Sequence, residues 1–218
     1  MTRYAMVADL RRCVGCQTCT AACKETRGTP PGVQWRRVLD IETGEYPAVR
    51  RSFVPTGCQH CDEPPCLEVC PSTATKKRPD GIVTIDEALC IGCSACMMAC
   101  PYDARYMVDQ TAFAFGDQAM PHEGRLADTA RLGVVTKCDF CAARVDAGVA
   151  RGLVPGVDTA ATPVCAQSCI SGALQFGDID DPASPAAKLL AGNRWFRMHE
   201  DLGTGPGFYY LWDQEAAS

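Results

Sequence analysis

The chain has 218 residues, a net charge of −5, a hydrophobic content of 47% and sixteen cysteines. That length accommodates one domain or two small ones, and that apolar content excludes a disordered chain. The acidic balance argues against nucleic acid as a partner, which would want a basic stripe, and no uncharged apolar run approaches the ~18 residues of a membrane span.

In chain order, Tyr4–Ala8 predicts a short strand, bounded by Asp9, that runs straight into Cys13, Cys16, Cys19 and Cys23. A cysteine-free segment follows, from Gly28 to Thr56, with Pro30-Pro31-Gly32, Trp35 and a predicted strand at Val49–Val54. The second set is Cys58, Cys61, Cys66 and Cys70, with Pro64-Pro65 stiffening the ligand loop and Pro71 closing it. A strand predicted at Ile82–Ile85 leads to the third set, Cys90, Cys93, Cys96 and Cys100, followed by Pro101. Both prolines remove an N–H and stop the local helical turn. A second cysteine-free segment, Tyr102 to Lys137, holds Phe113, Phe115 and Pro121. Each such segment is too long for a simple connection, and a mixture of packing over the cysteines and contact with a partner is expected. The fourth set is Cys138, Cys141, Cys165 and Cys169, interrupted by a helix-like run from Ala142 that breaks at Gly152, Pro155 and Gly156. Then come a strand at Leu174–Phe176 and, after Pro182 and Pro185, a short helix at Ala186–Ala191. The tail from Leu202 to Leu211 reads as an extended segment docking on something, its aromatic residues serving packing.

The chain repeats itself. Met6, Ala8, Asp9, Cys13, Gly15, Cys16, Cys19, Ala22 and Cys23 recur 77 residues later as Val83, Ile85, Asp86, Cys90, Gly92, Cys93, Cys96, Ala99 and Cys100. A strand, a turn opening with Asp and a run of ligands is one supersecondary unit used twice. Gly15 and Gly92 would let the backbone pass close to a bound group. Cys70, Ser72 and Ala74 likewise recur 99 residues later as Cys169, Ser171 and Ala173.

All sixteen cysteines fall into four sets of four. Spacings of two residues argue against a disulfide framework, as does an N-terminal run without the plan of a signal peptide. A zinc-stabilised interaction module has no use for a third cysteine so close to a pair. The spacing is that of bacterial two-cluster ferredoxins, in which three thiolates hold one cube and the fourth crosses to another. It assigns Cys58, Cys61, Cys66 with Cys100; Cys90, Cys93, Cys96 with Cys70; Cys13, Cys16, Cys19 with Cys169; and Cys138, Cys141, Cys165 with Cys23. The expected architecture is α+β. Residues 55–110 form a contiguous two-cluster ferredoxin-like module, and residues 1–54 and 111–218 a second one split around it, with insertions and a tail. Such clusters should supply much of the folding free energy, leaving the apoprotein loose. Arg11, Arg12, Lys24, Lys137 and Arg144 lie near ligands and either offset cluster charge or stay solvated. Of His60, His122 and His199, only His60 sits in a ligand loop, and the sets are already complete in cysteine. No nucleophile–base pair, phosphate loop or substrate pocket motif is present, so no catalytic residue is assigned.

Taken together, Cys13-Val-Gly-Cys16, Cys58-Gln-His-Cys61-Asp-Glu-Pro-Pro-Cys66, Cys90-Ile-Gly-Cys93, Cys138-Asp-Phe-Cys141 and the Gly-Thr-Gly-Pro tail resemble the iron-sulfur electron-transfer subunit of the dimethyl sulfoxide reductase family of molybdoenzymes. The resemblance implies four 4Fe-4S clusters and no catalytic site in this chain. It also implies a large catalytic partner with a molybdenum or tungsten bis-pterin cofactor and an integral membrane subunit that exchanges electrons with quinone. Cys93 stands where the nitrate reductase branch has tryptophan and a 3Fe-4S cluster, so the chain is similar to the branch with four 4Fe-4S clusters. Ile170 replaces the proline usual after the fourth set, and the stretch Ala142 to Val164 is longer than common, similar to members serving sulfite-oxidising or phenylacetyl-CoA-oxidising complexes. The expected place is peripheral on the cytoplasmic membrane, at its cytoplasmic face, with periplasmic co-export beside a signal-bearing partner as the alternative. A free-standing polyferredoxin or hydrogenase-associated carrier is the alternative of the same chemistry.

Overall fold

The computed structural model describes residues 2–110, 112–121, 123 and 132–212; His122 lies outside them. Its largest sheet has four strands. Strand β1 (Tyr4–Asp9) sits between β8 (Leu174–Asp178), antiparallel, and β10 (Phe208–Leu211), parallel, and β10 also pairs with the short β9 (Trp195–Phe196). The two central strands are buried on both faces, because successive side chains point to opposite sides. Met6, Ala8, Phe208 and Tyr210 face the side that holds Cys19, Cys23, Cys138 and Cys165. Ala5, Val7, Tyr209 and Leu211 face the other side. Helix α6 (Pro185–Gly192) covers that second face with Ala186, Leu189 and Leu190. Proline at the first helical position, already oriented for a helix and needing no N–H partner, starts α6 at Pro185. The extended tail therefore docks on the chain's own first strand, and its aromatic residues are core: Phe208 and Tyr210 are fully buried and stacked 4.9 Å apart.

Three antiparallel hairpins complete the strands. The first joins β2 (Arg36–Thr43) to β3 (Arg50–Gly57). Its base is buried at Arg36 and from Val54 to Gly57, while Leu39, Ile41 and Tyr46 near its tip are exposed. The first cysteine-free segment thus packs at one end and projects at the other. Trp35 fastens the packed end, its Nε1 donating to Thr136 Oγ1 at 3.2 Å. The second hairpin is β4 (Thr75–Lys77) with β5 (Val83–Ile85). The third, β6 (Tyr106–Val108) with β7 (Val134–Thr136), closes the described ends of the second cysteine-free segment.

The remaining helices are α1 (Thr18–Arg27), α2 (Pro65–Glu68), α3 (Ala95–Met98), α4 (Ala142–Val149) and α5 (Val164–Gln167). Helix α1 packs on α5 near the β1–β8 pair, and α2 packs on α3 near the β4–β5 pair. Both repeats are visible in the backbone. Gly15 and Gly92 share φ 67°, and Gln17 and Ser94, each preceding a helix, share φ 60°. Thr73 and Gly172, 99 residues apart, stand at 55° and 61°. A Cβ at Gly15 would strike the Phe53 ring, and one at Gly92 the carbonyl oxygen of Gly133. Protein atoms, together with a left-handed backbone, exclude a side chain there.

Candidate metal centre

Each set uses the same local device. Cys19, Cys66, Cys96 and Cys165, the third cysteine of each set, are all the second residue of a helix, in α1, α2, α3 and α5, and all are buried. Burial raises the thiols of Cys19, to about 11, and of Cys66 and Cys165. In three sets the helix stops after four residues and the fourth cysteine closes a tight turn. Cys70, Cys100 and Cys169 donate their N–H groups to the carbonyls of Leu67, Met97 and Ala166 at 3.2, 3.3 and 3.2 Å. In the first set α1 continues, so Cys23 lies one turn beyond Cys19 on the same buried face.

The structure brings the sets together across the sequence. Cys70, Cys90, Cys93 and Cys96 line one recess of about 310 Å³, counting its open mouth, with Thr75, Arg105 and Val135. Backbone N–H groups point at its sulfurs: Thr75 donates to Cys70 Sγ and Val135 to Cys90 Sγ, each at 3.5 Å. Cys61 is pushed up to about 12 by burial first and then by Cys58, Cys66 and Cys100 around it. Burial raises Cys13, and the nearness of Cys169 and Cys16 raises it further. Burial pushes Cys23 up to about 12, with Cys165 and Cys141 adding to it. Cys138 and Cys165 are likewise raised, burial first. Cys13 thus neighbours Cys169, and Cys23 neighbours Cys165 and Cys141.

These neighbourhoods form a sequence in space. Cys19 is influenced by Cys165 and Cys169, Cys138 by Cys23, Cys165 and Cys58, and Arg105 faces Cys66, Cys58 and Cys96. Grouped as the crossed pairing expects, they run Cys13/16/19/169, Cys23/138/141/165, Cys58/61/66/100 and Cys70/90/93/96. Exposure follows this order. Cys16 and Cys93, in the two outer groups, are the exposed cysteines, and all four members of the second group are buried.

The residues present fit iron-sulfur clusters. Among the described residues no three His, Cys, Asp or Glu side chains converge on a point that one ion could occupy. Buried cations face the sulfurs. Arg105 donates from Nη2 to Cys66 Sγ at 2.8 Å, and Arg36 is 1% exposed with no hydrogen bond of good geometry from any of its three nitrogens. Neither was legible as a cation beside the cysteines, because Arg36 is 13 residues from Cys23 and 22 from Cys58, and Arg105 follows its set with no motif of its own. The cations nearest the cysteines in sequence also hold other partners, although Lys137 acts on Cys66 and Lys24 on Cys23. Arg11 forms a two-pronged pair with Asp9 at 2.8 Å. Lys24 is bonded to the carbonyls of Thr29, Pro30 and Val33, Lys137 to those of Val83 and Cys138, and Arg144 to those of Thr159 and Thr162. His60 is a core residue: its Nδ1 accepts the Val83 N–H at 3.0 Å and its ring stacks on Phe140 at 3.6 Å. Burial, followed by the charges of Lys137, Arg36 and Arg105, holds His60 well below the usual histidine range and keeps it neutral.

Residues 49–117 match the model of the 4Fe-4S dicluster domain. Across nearly the whole length the chain is 38% identical to a selenate reductase subunit of Mesobacillus selenatarsenatis, covering 96% of this chain and 72% of that one. It is also 38% identical to a putative dimethyl sulfoxide reductase iron-sulfur subunit of Halobacterium salinarum, covering 97% and 79%. The arsenate respiratory reductase iron-sulfur subunit of a Shewanella strain is 32% identical, with 96% of each chain covered.

Proposed function

The chain belongs to the iron-sulfur electron-transfer subunits of the dimethyl sulfoxide reductase family of molybdoenzymes, and from that premise we propose that it holds four 4Fe-4S clusters in one row and relays electrons along them. It is a non-catalytic subunit of an oxidoreductase complex, with 4Fe-4S clusters as its cofactors. The proposed ligands are Cys13, Cys16, Cys19 with Cys169; Cys138, Cys141, Cys165 with Cys23; Cys58, Cys61, Cys66 with Cys100; and Cys90, Cys93, Cys96 with Cys70, each group taking three from one set and one from another. Residues 55–110 hold two clusters as a contiguous module, and residues 1–54 and 111–218 hold two more. The pairing of β4 with β5 under α2 and α3, matched by β1 with β8 under α1 and α5, supports that division. A bound cluster accepts and passes on one electron at a time, at a potential set by charge, hydrogen bonds and exposure.

The observation that carries the reading is the order of exposure. A relay needs shielded middle stations and accessible ends, and Cys16 and Cys93 mark the two ends while Cys23, Cys138, Cys141 and Cys165 are enclosed. Val14 beside Cys16, and Ile91 and Met98 beside Cys93, are exposed apolar residues that give each end a face for a partner. One partner is the molybdenum or tungsten catalytic subunit, the other an integral membrane subunit that reacts with quinone. Among the described residues no helix is long and apolar enough to cross a membrane, so attachment runs through that second subunit, at the cytoplasmic face or, with an exported partner, the periplasmic one. The test is metal analysis and electron paramagnetic resonance on the anaerobically purified complex. About sixteen irons per chain, four per cluster, and interacting signals after dithionite are expected. Zinc with negligible iron, or a chain that never co-purifies with a large subunit, refutes the proposal.

A further inference from the structure

Arg36 opens strand β2 opposite Gly57, where a side chain would strike the Trp35 carbonyl oxygen and touch the guanidinium. It is 1% exposed and lies 4.9 Å above the Phe208 ring. Among the described residues no carboxylate pairs with it, and its nitrogens make no hydrogen bond of good geometry, the Cys165 sulfur being the polar atom near enough to act on it as an acceptor. A buried guanidinium so weakly engaged is unfavourable unless negative charge stands beside it. Arg105, the corresponding cation between the other two groups, has protein partners in Cys66 Sγ at 2.8 Å and Thr75 Oγ1 at 3.2 Å. The groups that draw on Arg36 are sulfurs from two different groups: Cys19 on one side, and Cys165, Cys138 and Cys23 on the other. Burial works against its charge, but those sulfurs outweigh burial and raise its pKa above the ordinary arginine value.

We propose that Arg36 is a potential-setting residue, a buried cation lodged between the first and second clusters of the row and shared by both. The inference rests on the reading of the cysteine groups as cluster ligands. Reduction of a cluster adds one electron and one negative charge. Arg36 keeps its proton throughout, since a guanidinium does not deprotonate in proteins, so it favours the reduced state of either neighbour through its charge alone. A fixed charge acts on each neighbour separately, so one cation raises the potential of both clusters, and repulsion between the two clusters themselves opposes their joint reduction.

The test uses the full chain, loaded anaerobically, in three forms: unaltered, Arg36→Met and Arg36→Lys. Iron is counted, and each cluster's midpoint potential is read by resonance-monitored redox titration. In Arg36→Met the reduction equilibrium constant of at least one of the two clusters falls about tenfold, about 59 mV for one electron. The clusters of Cys58/61/66/100 and Cys70/90/93/96 stay unchanged, and Arg36→Lys restores most of the loss. Arg36→Met with full iron and unaltered potentials overturns the proposal. If Arg36→Met loses iron from those two sites, retention by Arg36→Lys supports the charge role, and loss in both variants overturns it in favour of shape. Unaltered chain that takes up no iron at these two sites defeats the cluster reading, a result distinct from any change at Arg36.

Discussion

Gly15 and Gly92 offer a controlled comparison, because the backbone is the same at both and the obstacle differs. Alanine at either position is forced into φ 67°, which costs an L-residue about 1–2 kcal/mol. Beyond that the two diverge. At Gly15 a new Cβ meets the Phe53 ring, a half-buried side chain on β3 that can swing outward. At Gly92 it meets the carbonyl of Gly133, whose own N–H is tied to Val108 at 2.7 Å at the end of the β6–β7 hairpin. That carbonyl shares its peptide plane with the N–H of Val134, the first residue of β7, so it can move only by shifting main chain at the hairpin's end, and displaced main chain adds about 1–3 kcal/mol. Gly92→Ala should therefore cost about 2–5 kcal/mol in total and Gly15→Ala about 1–2 kcal/mol. The assay is the rate of iron release into a chelator from anaerobic protein, followed cluster by cluster. Gly92→Ala should shed the Cys70/90/93/96 cluster at least tenfold faster than Gly15→Ala sheds that of Cys13/16/19/169. Equal rates, or the reverse order, would show that backbone rigidity at Gly133 is not what excludes a side chain.

Other outcomes follow from the same geometry. Cys70→Ser should disturb the cluster held by Cys90, Cys93 and Cys96, and Cys100→Ser the one held by Cys58, Cys61 and Cys66; resonance spectra showing each change in the cluster of its own set would refute the crossed pairing. Phe208→Ala, which empties a fully buried ring site, should destabilise the protein by about 3–5 kcal/mol, measured by anaerobic denaturant unfolding; Phe208→Leu should recover most of this, and a loss below about 1 kcal/mol would mean that the tail is not part of the core. Iron removal should abolish near-ultraviolet dichroism and the hydrogen-exchange protection of the α1 and α5 backbones, because the buried Cys138 and Cys165 lose the metal bonds that tie their segments together; retained protection would show a core that stands without the clusters.

Much of the site was legible because ligand spacing is dictated by the size of a cluster and not by the surrounding fold. Strands β1, β5 and β8 were legible for a related reason: each abuts a ligand set and carries its apolar residues in a short run. What escaped were β2, β4, β6 and β7. Strand β2, Arg-Arg-Val-Leu-Asp-Ile-Glu-Thr, has an exposed outer half with no buried face to imprint alternation. Strands β4, β6 and β7 are three residues long, too short for a period to show. The buried arginines were invisible for a deeper reason. A cation is placed in a core by what lies beside it in space, and Arg36 meets sulfurs that arrive from residues 19 and 165. The tail's docking place was open in the sequence because its partner strand lies about 200 residues upstream.

That distance governs how the molecule is made. Strand β10 enters the sheet alongside β1, so the face that shields the first and second cysteine groups cannot close until Leu211 has left the ribosome. At about 5–20 residues per second, Cys13 to Cys23 wait some ten to forty seconds in an open cleft, whereas Cys58 to Cys100 are made within about two to eight seconds of one another. Maturation is thus staggered: the contiguous half can begin to assemble while the chain is still being threaded out, and the split half is sealed last by the strand that arrives last. A cell making this protein needs its thiols guarded through that interval, and a delay in translating the final stretch would leave half the relay open to oxygen.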